Sequence, residues 1–333
     1  MTQLTRRHMV ATVAGAAAAT ALGPLAPASA QSAPPQAGKQ APGWYRYKVG
    51  DIEVTVVTDG VNRFKFPDNF VVNAKREEVN AALAAAYLDQ DTVAIPFTPI
   101  VVNTGSKLVV MDTGTGEGSF AASKGANGQF HGNLAAAGLD SKAVDAVIIS
   151  HYHGDHINGL VKPDGAPAFA KAEILVPSAE HKYWMDDGEM SRAAGTRLEG
   201  AFKNVRRVFN AEIQKRVKTY DSGKEVVSGI TAVATPGHTP GHTSFVVASG
   251  NNSVYVQSDV TNVPFLFVRN PGWQVMFDQD PNMAEATRRK VFDMAAAEKM
   301  KVQGFHYPFP SLAYIEKAGS GYREVPVPWS PTI

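Results

Sequence analysis

Residues 144–156 read Val144-Asp145-Ala146-Val147-Ile148-Ile149-Ser150-His151-Tyr152-His153-Gly154-Asp155-His156. The first six have the length and β-branched content of a buried strand. The last six hold three imidazoles and a carboxylate, in a chain with only nine histidines among 333 residues. A strand ending in such a cluster projects neutral nitrogens and an anionic oxygen into one pocket, a donor set that suits a borderline-soft dication such as zinc. The bland alternative, a polar loop that happens to be rich in histidine, does not account for that density.

Three later stretches repeat the arrangement. Ile230-Thr231-Ala232-Val233-Ala234 leads into Thr235-Pro236-Gly237-His238-Thr239-Pro240-Gly241-His242. Ser253-Val254-Tyr255-Val256-Gln257-Ser258 ends on Asp259, and Lys301-Val302-Gln303-Gly304-Phe305 ends on His306. Ligands gathered from several strand ends are how a metal site is built on a rigid scaffold. The order HxHxDH, PGHTPGH, lone Asp, lone His resembles the metallo-β-lactamase superfamily of binuclear metallohydrolases.

That resemblance implies an α/β fold, a four-layer αβ/βα sandwich with pseudo-symmetric halves and its site along one edge of the sheets. It also implies two divalent metal ions, with zinc expected. One would take His151, His153 and His238, and the other Asp155, His156 and His306. Asp259 would bridge them together with a hydroxide, and Asp155 and Asp259 are the expected catalytic carboxylates. Two cations about 3.5–4 Å apart need a shared anion, and water on zinc has its pKa lowered to about 7. In the family the first histidine of PGHxxGH is the ligand, which leaves His242, beyond a second Pro-Gly turn, in a supporting role. Asp112, in Asp112-Thr113-Gly114, matches an acidic residue that supports a metal-bound histidine; the competing reading is a turn aspartate. His131 and His181 have no partner motif and read as surface or pocket-lining residues.

Within the superfamily the chain is similar to methyl parathion hydrolase and its exported relatives. The likeness rests on Ala41-Pro42-Gly43-Trp44-Tyr45, on the stretch from Val102 to Val109, and on His306-Tyr307-Pro308-Phe309-Pro310. It implies that Trp184 lines the substrate pocket, and Phe265 and Phe267 are expected near the metal cleft; the plain alternative for all three is ordinary core. Two departures stand out. Ile157-Asn158-Gly159 follows HxHxDH where a glycine pair is usual, and Asn262 stands where homoserine-lactone lactonases carry a tyrosine. The implied activity is attack by a metal-bound hydroxide on a small apolar ester, lactone or phosphotriester. The alternative is an iron-dependent oxidoreductase, sulfur dioxygenase-like, on the same fold. Those enzymes leave the second metal site unused, whereas Asp155, His156 and His306 are all present here. A non-catalytic binding protein is the third reading, and such proteins tend to lose ligands.

The chain opens with a basic Thr5-Arg6-Arg7-His8-Met9-Val10, an alanine-rich run from Ala11 to Leu22, and Ala28-Ser29-Ala30. This is the form of a twin-arginine signal peptide over residues 1–30, too short and too rich in small residues to span a bilayer. Residues 31–42 read as a flexible leader and 43–333 as one large hydrolase domain, periplasmic or secreted. Cysteine is absent, which excludes a thiolate nucleophile and a Cys-ligated metal, and fits a protein folded before export. Removal of Arg6 and Arg7 moves the formal charge from +1 to about −1, so there is no basic footprint for nucleic acid. The expected partner is a small-molecule substrate, with no membrane span; a homodimer stays possible. The segment pattern reads as a strand over Tyr45–Asp59, a helix over Ala74–Tyr87, a hairpin around Asn103–Ser106, and helices over Asn133–Gly138 and Met283–Met300.

Overall fold

The computed structural model describes residues 36–38 and 40–333. The signal-peptide and cleavage expectations lie outside them. Sixteen strands are described: β1 (Trp44–Val49), β2 (Ile52–Val57), β3 (Gly60–Lys65), β4 (Thr92–Phe97), β5 (Ile100–Asn103), β6 (Leu108–Met111), β7 (Ala146–Ile148) and β8 (Glu173–Pro177) come first. β9 (Val217–Tyr220), β10 (Glu225–Val227), β11 (Ile230–Ala234), β12 (Thr243–Ser249), β13 (Asn252–Ser258), β14 (Lys301–Gly304), β15 (Leu312–Ala318) and β16 (Gly321–Pro326) follow. They form two seven-stranded sheets, β1-β2-β5-β6-β7-β8-β9 and β10-β11-β12-β13-β14-β15-β16, with β3 and β4 as a separate antiparallel pair.

The motif strand shows why the layers stack as they do. Ala146 and Ile148 face the second sheet, while Val147 and Ile149 face helices on the other side. A strand covered on both faces is apolar at every position, which is why this run lacks a polar alternation. Between the sheets, Val54, Val102 and Val109 meet Ile230, Phe245 and Val254. The outer face of the first sheet is covered by helices Phe130–Ala136 and Glu199–Val208, through Phe130, Leu134, Phe202 and Val205. Helix Pro281–Ala297 covers the second sheet through Val291, Phe292 and Ala295. The result is helix, sheet, sheet, helix: the four-layer αβ/βα sandwich.

Helix Pro281–Ala297 starts where its chemistry dictates. Asp280 accepts the Met283 amide at 2.9 Å and Pro281 occupies the first turn, where a missing N–H is harmless. The expected strand Tyr45–Asp59 is instead the β1–β2 hairpin, reversing at Gly50-Asp51 with Val49 paired to Ile52. A two-residue loop preserves the alternation on both sides, so the pattern does not reveal the turn.

β6 to β9 run parallel, as do β13 and β14, and β11 points the same way through two antiparallel steps. The carboxyl ends of β6, β7, β11, β13 and β14 carry Asp112, the HxHxDH loop, the PGHTPGH loop, Asp259 and His306. In open α/β sheets ligands bind outside the carboxyl ends of strands. Among the described residues no helix is long and apolar enough to cross a membrane.

Candidate metal centre

β7 delivers Ser150 and His151, and the chain then enters helix Gly154–Ile157 with His153 just before its first turn. One helical turn brings Asp155 and His156 round to the same side. The PGHTPGH loop joins β11 to β12, and its ladder continues one step through the Thr235 amide and His242 carbonyl at 3.0 Å. Its two glycines have separate reasons. Gly237 has φ +128°, and a Cβ there would lie 2.3 Å from the Ala284 nitrogen; a Cβ on Gly241 would lie 2.1 Å from the Glu180 nitrogen. The loop therefore sits directly against two helices.

Three groups of donors converge: His151, His153 and His238; Asp155, His156 and His306; and His151, His156 and Asp259, each with its ligand atoms within 4.8 Å of one another. His153 Nδ1 lies 3.1 Å from His151 Nε2 and 2.9 Å from His238 Nε2. Asp259 stands between the two halves. Its Oδ2 is 3.0 Å from His306 Nε2 and 3.3 Å from His238 Nε2, and its Oδ1 is 3.2 Å from His156 Nε2. Asp155 Oδ2 lies 3.5 Å from His306 and 3.7 Å from His156.

The ring nitrogens on the far side are fixed by partners. His156 Nδ1 donates to Asp112 Oδ2, His238 Nδ1 to Asp278 Oδ1, and His306 Nδ1 to the Pro96 carbonyl, each at 2.8 Å. His151 Nδ1 donates to Ser150 Oγ at 3.0 Å, and that hydroxyl donates to Asp112. Each bond sets a tautomer and leaves Nε2 facing the centre. Asp278 is held by the buried Arg288 at 3.3 Å. Asp278 is a supporting carboxylate that the sequence reading missed: it lies in no motif, forty residues beyond His238.

Burial, with His156 next, pushes His151 well below the usual imidazole pKa; burial and His238 do the same to His153. Both are held neutral, the form that ligates. Burial also opposes a charge on His156, but Asp259, Asp112 and Asp155 prevail and raise it well above the usual value. His238 is likewise opposed by burial, yet hydrogen bonds to Asp259 and Asp278 bring it up to about 9. Burial disfavours the Asp259 anion, but His306 and His156 hold it well below the usual carboxylate range.

These residues fit a divalent ion. A tetrahedral shell at about 2.0–2.1 Å sets neighbouring donor atoms about 3.3 Å apart, and the tri-histidine separations of 2.9 and 3.1 Å are close to that. His156 Nε2 and Asp259 Oδ1 are buried without a hydrogen-bond partner among the described residues. Orphaned polar atoms facing one another in a buried, nitrogen-rich cluster are what a cation would satisfy. Protons and a cation compete for the same lone pairs.

His242, expected in a supporting role, reaches the cluster: its ring lies 5.0 Å from that of His151. Its nitrogens are occupied instead. Nδ1 donates to the Thr235 carbonyl and Nε2 accepts the Asp259 amide, both at 3.0 Å. Burial, then the neighbouring His238, lowers its pKa to about 3. His131 bonds the Gly159 carbonyl and His181 the Tyr152 hydroxyl, and neither joins the cluster.

A pocket of about 400 Å³ opens over the donors, with Phe64, Ile95, Phe97 and Phe277 as apolar walls and Arg197 and Asn262 among its polar lining. Trp184 is not in that wall. It is fully buried behind His153, edge-on at 6.3 Å between ring centroids. Phe267 is buried against Phe70, and Phe265 borders a separate apolar slot on the far side of His306. Gly159 packs on Thr113, where a Cβ would meet the carbonyl at 2.0 Å. Ile157 is buried in the helix-side core, so the altered glycine pair is absorbed locally.

The family profile of the metallo-β-lactamase superfamily matches residues 98–298, more than half of the chain. Two solved structures are similar over almost their whole length. AidC, a dizinc quorum-quenching lactonase in complex with its product N-hexanoyl-L-homoserine, is 25% identical with a TM-score of 0.79, covering 86% of this chain and 98% of its own. AbOPH, a hydrolase of the β-lactamase superfamily, is 26% identical with a TM-score of 0.80, covering 88% and 100%. A curated relative, the uncharacterized protein YobT of Bacillus subtilis (strain 168), is 26% identical over 119 residues, 36% of this chain and 48% of YobT. The matched stretch thus spans about half the length of that relative. The chain belongs to the metallo-β-lactamase superfamily. Its convergent His and Asp donors form the three groups able to hold a metal ion.

Proposed function

We propose that the chain is a binuclear zinc hydrolase acting on small, uncharged esters, with lactones foremost and phosphotriesters as the neighbouring class. The observation that carries this reading is Asp259, whose two oxygens lie within 3.3 Å of nitrogens from both donor groups. His151, His153 and His238 would hold one ion, and Asp155, His156 and His306 the other. When bound, the two ions supply Lewis acidity toward the carbonyl or phosphoryl oxygen and bring the deprotonation of water into the neutral range.

The rest of the work falls to side chains. Asp259, anionic and buried, balances charge between the two groups. Asp155 lines the pocket with its side chain 26% exposed, more open than its partners, and is placed to take a proton and return it to the leaving group. Phe64, Phe97 and Phe277 exclude water and orient an apolar substrate, while Arg197 and Asn262 offer donors to a polar group at the mouth. The likeness to a dizinc lactonase over nearly the full chain supports placing lactones first. The complete second donor group leaves the iron-dependent alternative without a supporting observation.

We further propose that residues 1–30 are removed on export to the periplasm or beyond, leaving leader 31–42 and hydrolase domain 43–333; mass spectrometry of exported protein should find Gln31 at the N-terminus. The activity is tested by assaying lactones, aryl esters, phosphotriesters and β-lactams side by side on metal-counted protein. Turnover of a lactone or ester with about two zinc ions per chain is expected. One iron and no zinc, with no hydrolysis across the panel, would overturn the reading.

A further inference from the structure

Glu180 is a fully buried carboxylate with no role in the donor groups above. It sits on helix Ser178–Trp184, which follows β8 directly. Four hydrogen bonds end on it. Oε1 accepts the Tyr152 amide at 2.9 Å and the Trp184 indole N–H at 2.7 Å. Oε2 accepts the Thr239 hydroxyl and the Gly241 amide, both at 2.8 Å. Burial pushes the Glu180 carboxyl above its usual range, and these four bonds oppose that shift; the Tyr152 and Gly241 amides and the Trp184 indole can only donate, so they favour the anion.

The sources of those donors matter more than their number. Tyr152 lies between His151 and His153, while Thr239 and Gly241 flank His238 at one and three residues. One carboxylate therefore ties together the two loops that carry all three histidines of the first donor group. Trp184, oriented by the same oxygen, lies between Phe202, at 4.6 Å, and the ring of His153. Gly241 is the only residue that lets the second loop come this close, because any Cβ would strike the Glu180 backbone.

We propose that Glu180 is a positioning residue for the tri-histidine half of the centre: it clamps the HxHxDH loop to the PGHTPGH loop and so spaces His151, His153 and His238 for an ion. This rests on the reading that those histidines hold one of two ions. An unclamped pair of loops must be ordered by the ion itself, and that ordering is subtracted from its affinity. No such clamp is needed in the other half, where His306 comes straight off β14 and His156 is fixed by Asp112.

The test is zinc competition against a chromophoric chelator on metal-depleted mature protein, comparing wild type with Glu180→Gln, which sets an NH₂ against donors. Expected is a 10- to 100-fold loss of affinity at one site, the scale of supporting-residue changes, with the other site within about threefold. Repeating the titration in a His306→Ala background, which leaves the tri-histidine group complete, identifies the weakened site. Thr239→Val removes a single donor and should give a smaller loss at the same site; it decides the matter if Glu180→Gln does not fold. Unchanged affinities in a folded variant, or equal weakening of both sites in step with a lower Tm, would overturn the clamp alone. Wild type binding fewer than two ions would overturn the metal reading itself, and the clamp with it.

Discussion

The two halves of the centre are built differently. His151, His153 and His238 are three neutral-type donors brought together by two loops, and two of them are held neutral by burial. In the other half, Asp155 and His156 come from the short helix Gly154–Ile157 and His306 from just beyond β14, and one carboxylate stays open to the pocket. The first half is a buried cage whose spacing depends on how its loops are tied. Both halves border the pocket, the first through His153 and His238 and the second through Asp155 and His306. Asp259 is the one group that both halves share, and it is held in turn by His242 through its own backbone amide.

The largest expected effect is at that shared residue. Asp259→Ala should lower kcat/KM by about a thousandfold or more, as expected when stabilisation of transition-state charge is lost. Near-normal turnover with two ions bound would end the distinction between two halves joined by one anion. Next is the contrast inside PGHTPGH. His238→Ala should lose one ion per chain, whereas His242→Ala should keep both and lose about 10- to 100-fold in activity by freeing the Asp259 backbone. Metal counting together with steady-state rates checks the pair, and the reverse ranking would break it.

The supporting carboxylates sharpen the comparison further. Asp278→Asn should weaken zinc by about 10- to 100-fold in the tri-histidine half alone, whereas Asp112→Asn should weaken both halves, the second through His156 directly and the first, less, through Ser150 and His151. Two-site titrations would show it, and an effect of Asp278→Asn outside the tri-histidine half would contradict the division. The smallest effect belongs to the pocket wall. Phe277→Ala removes apolar contact with the substrate, and at roughly 25 cal/mol per Å² of lost burial it should reduce kcat/KM by about 3- to 10-fold. Metal content should not change.

Much of the centre was legible because its donors lie in short motifs at strand ends, where spacing along the chain translates directly into a shared edge. What the sequence hid was contact made across the fold. Asp278 supports His238 from a loop ahead of a distant helix. Glu180 and Trp184 lie on a helix that no periodic signal marked. Asp59, the last residue of the expected strand Tyr45–Asp59, is buried and accepts the Thr115 and Phe130 amides at 2.8 and 2.9 Å, securing the loop beyond β6. The aromatic residues misled for a related reason: an indole or phenyl ring near a motif is as useful behind a ligand as in front of it. The β1–β2 turn was invisible because a two-residue reversal keeps the alternation in phase.

The most direct measurement is zinc stoichiometry and affinity for metal-depleted wild type and Asp259→Asn, by titration calorimetry with the bound metal counted by mass spectrometry. The amide keeps the shape of the carboxylate but not its charge, so the fold should persist. Two zinc ions per wild-type chain and at most one in the variant are expected. A single ion in wild type, or two in the variant at unchanged affinity, would contradict a centre whose halves are joined by Asp259.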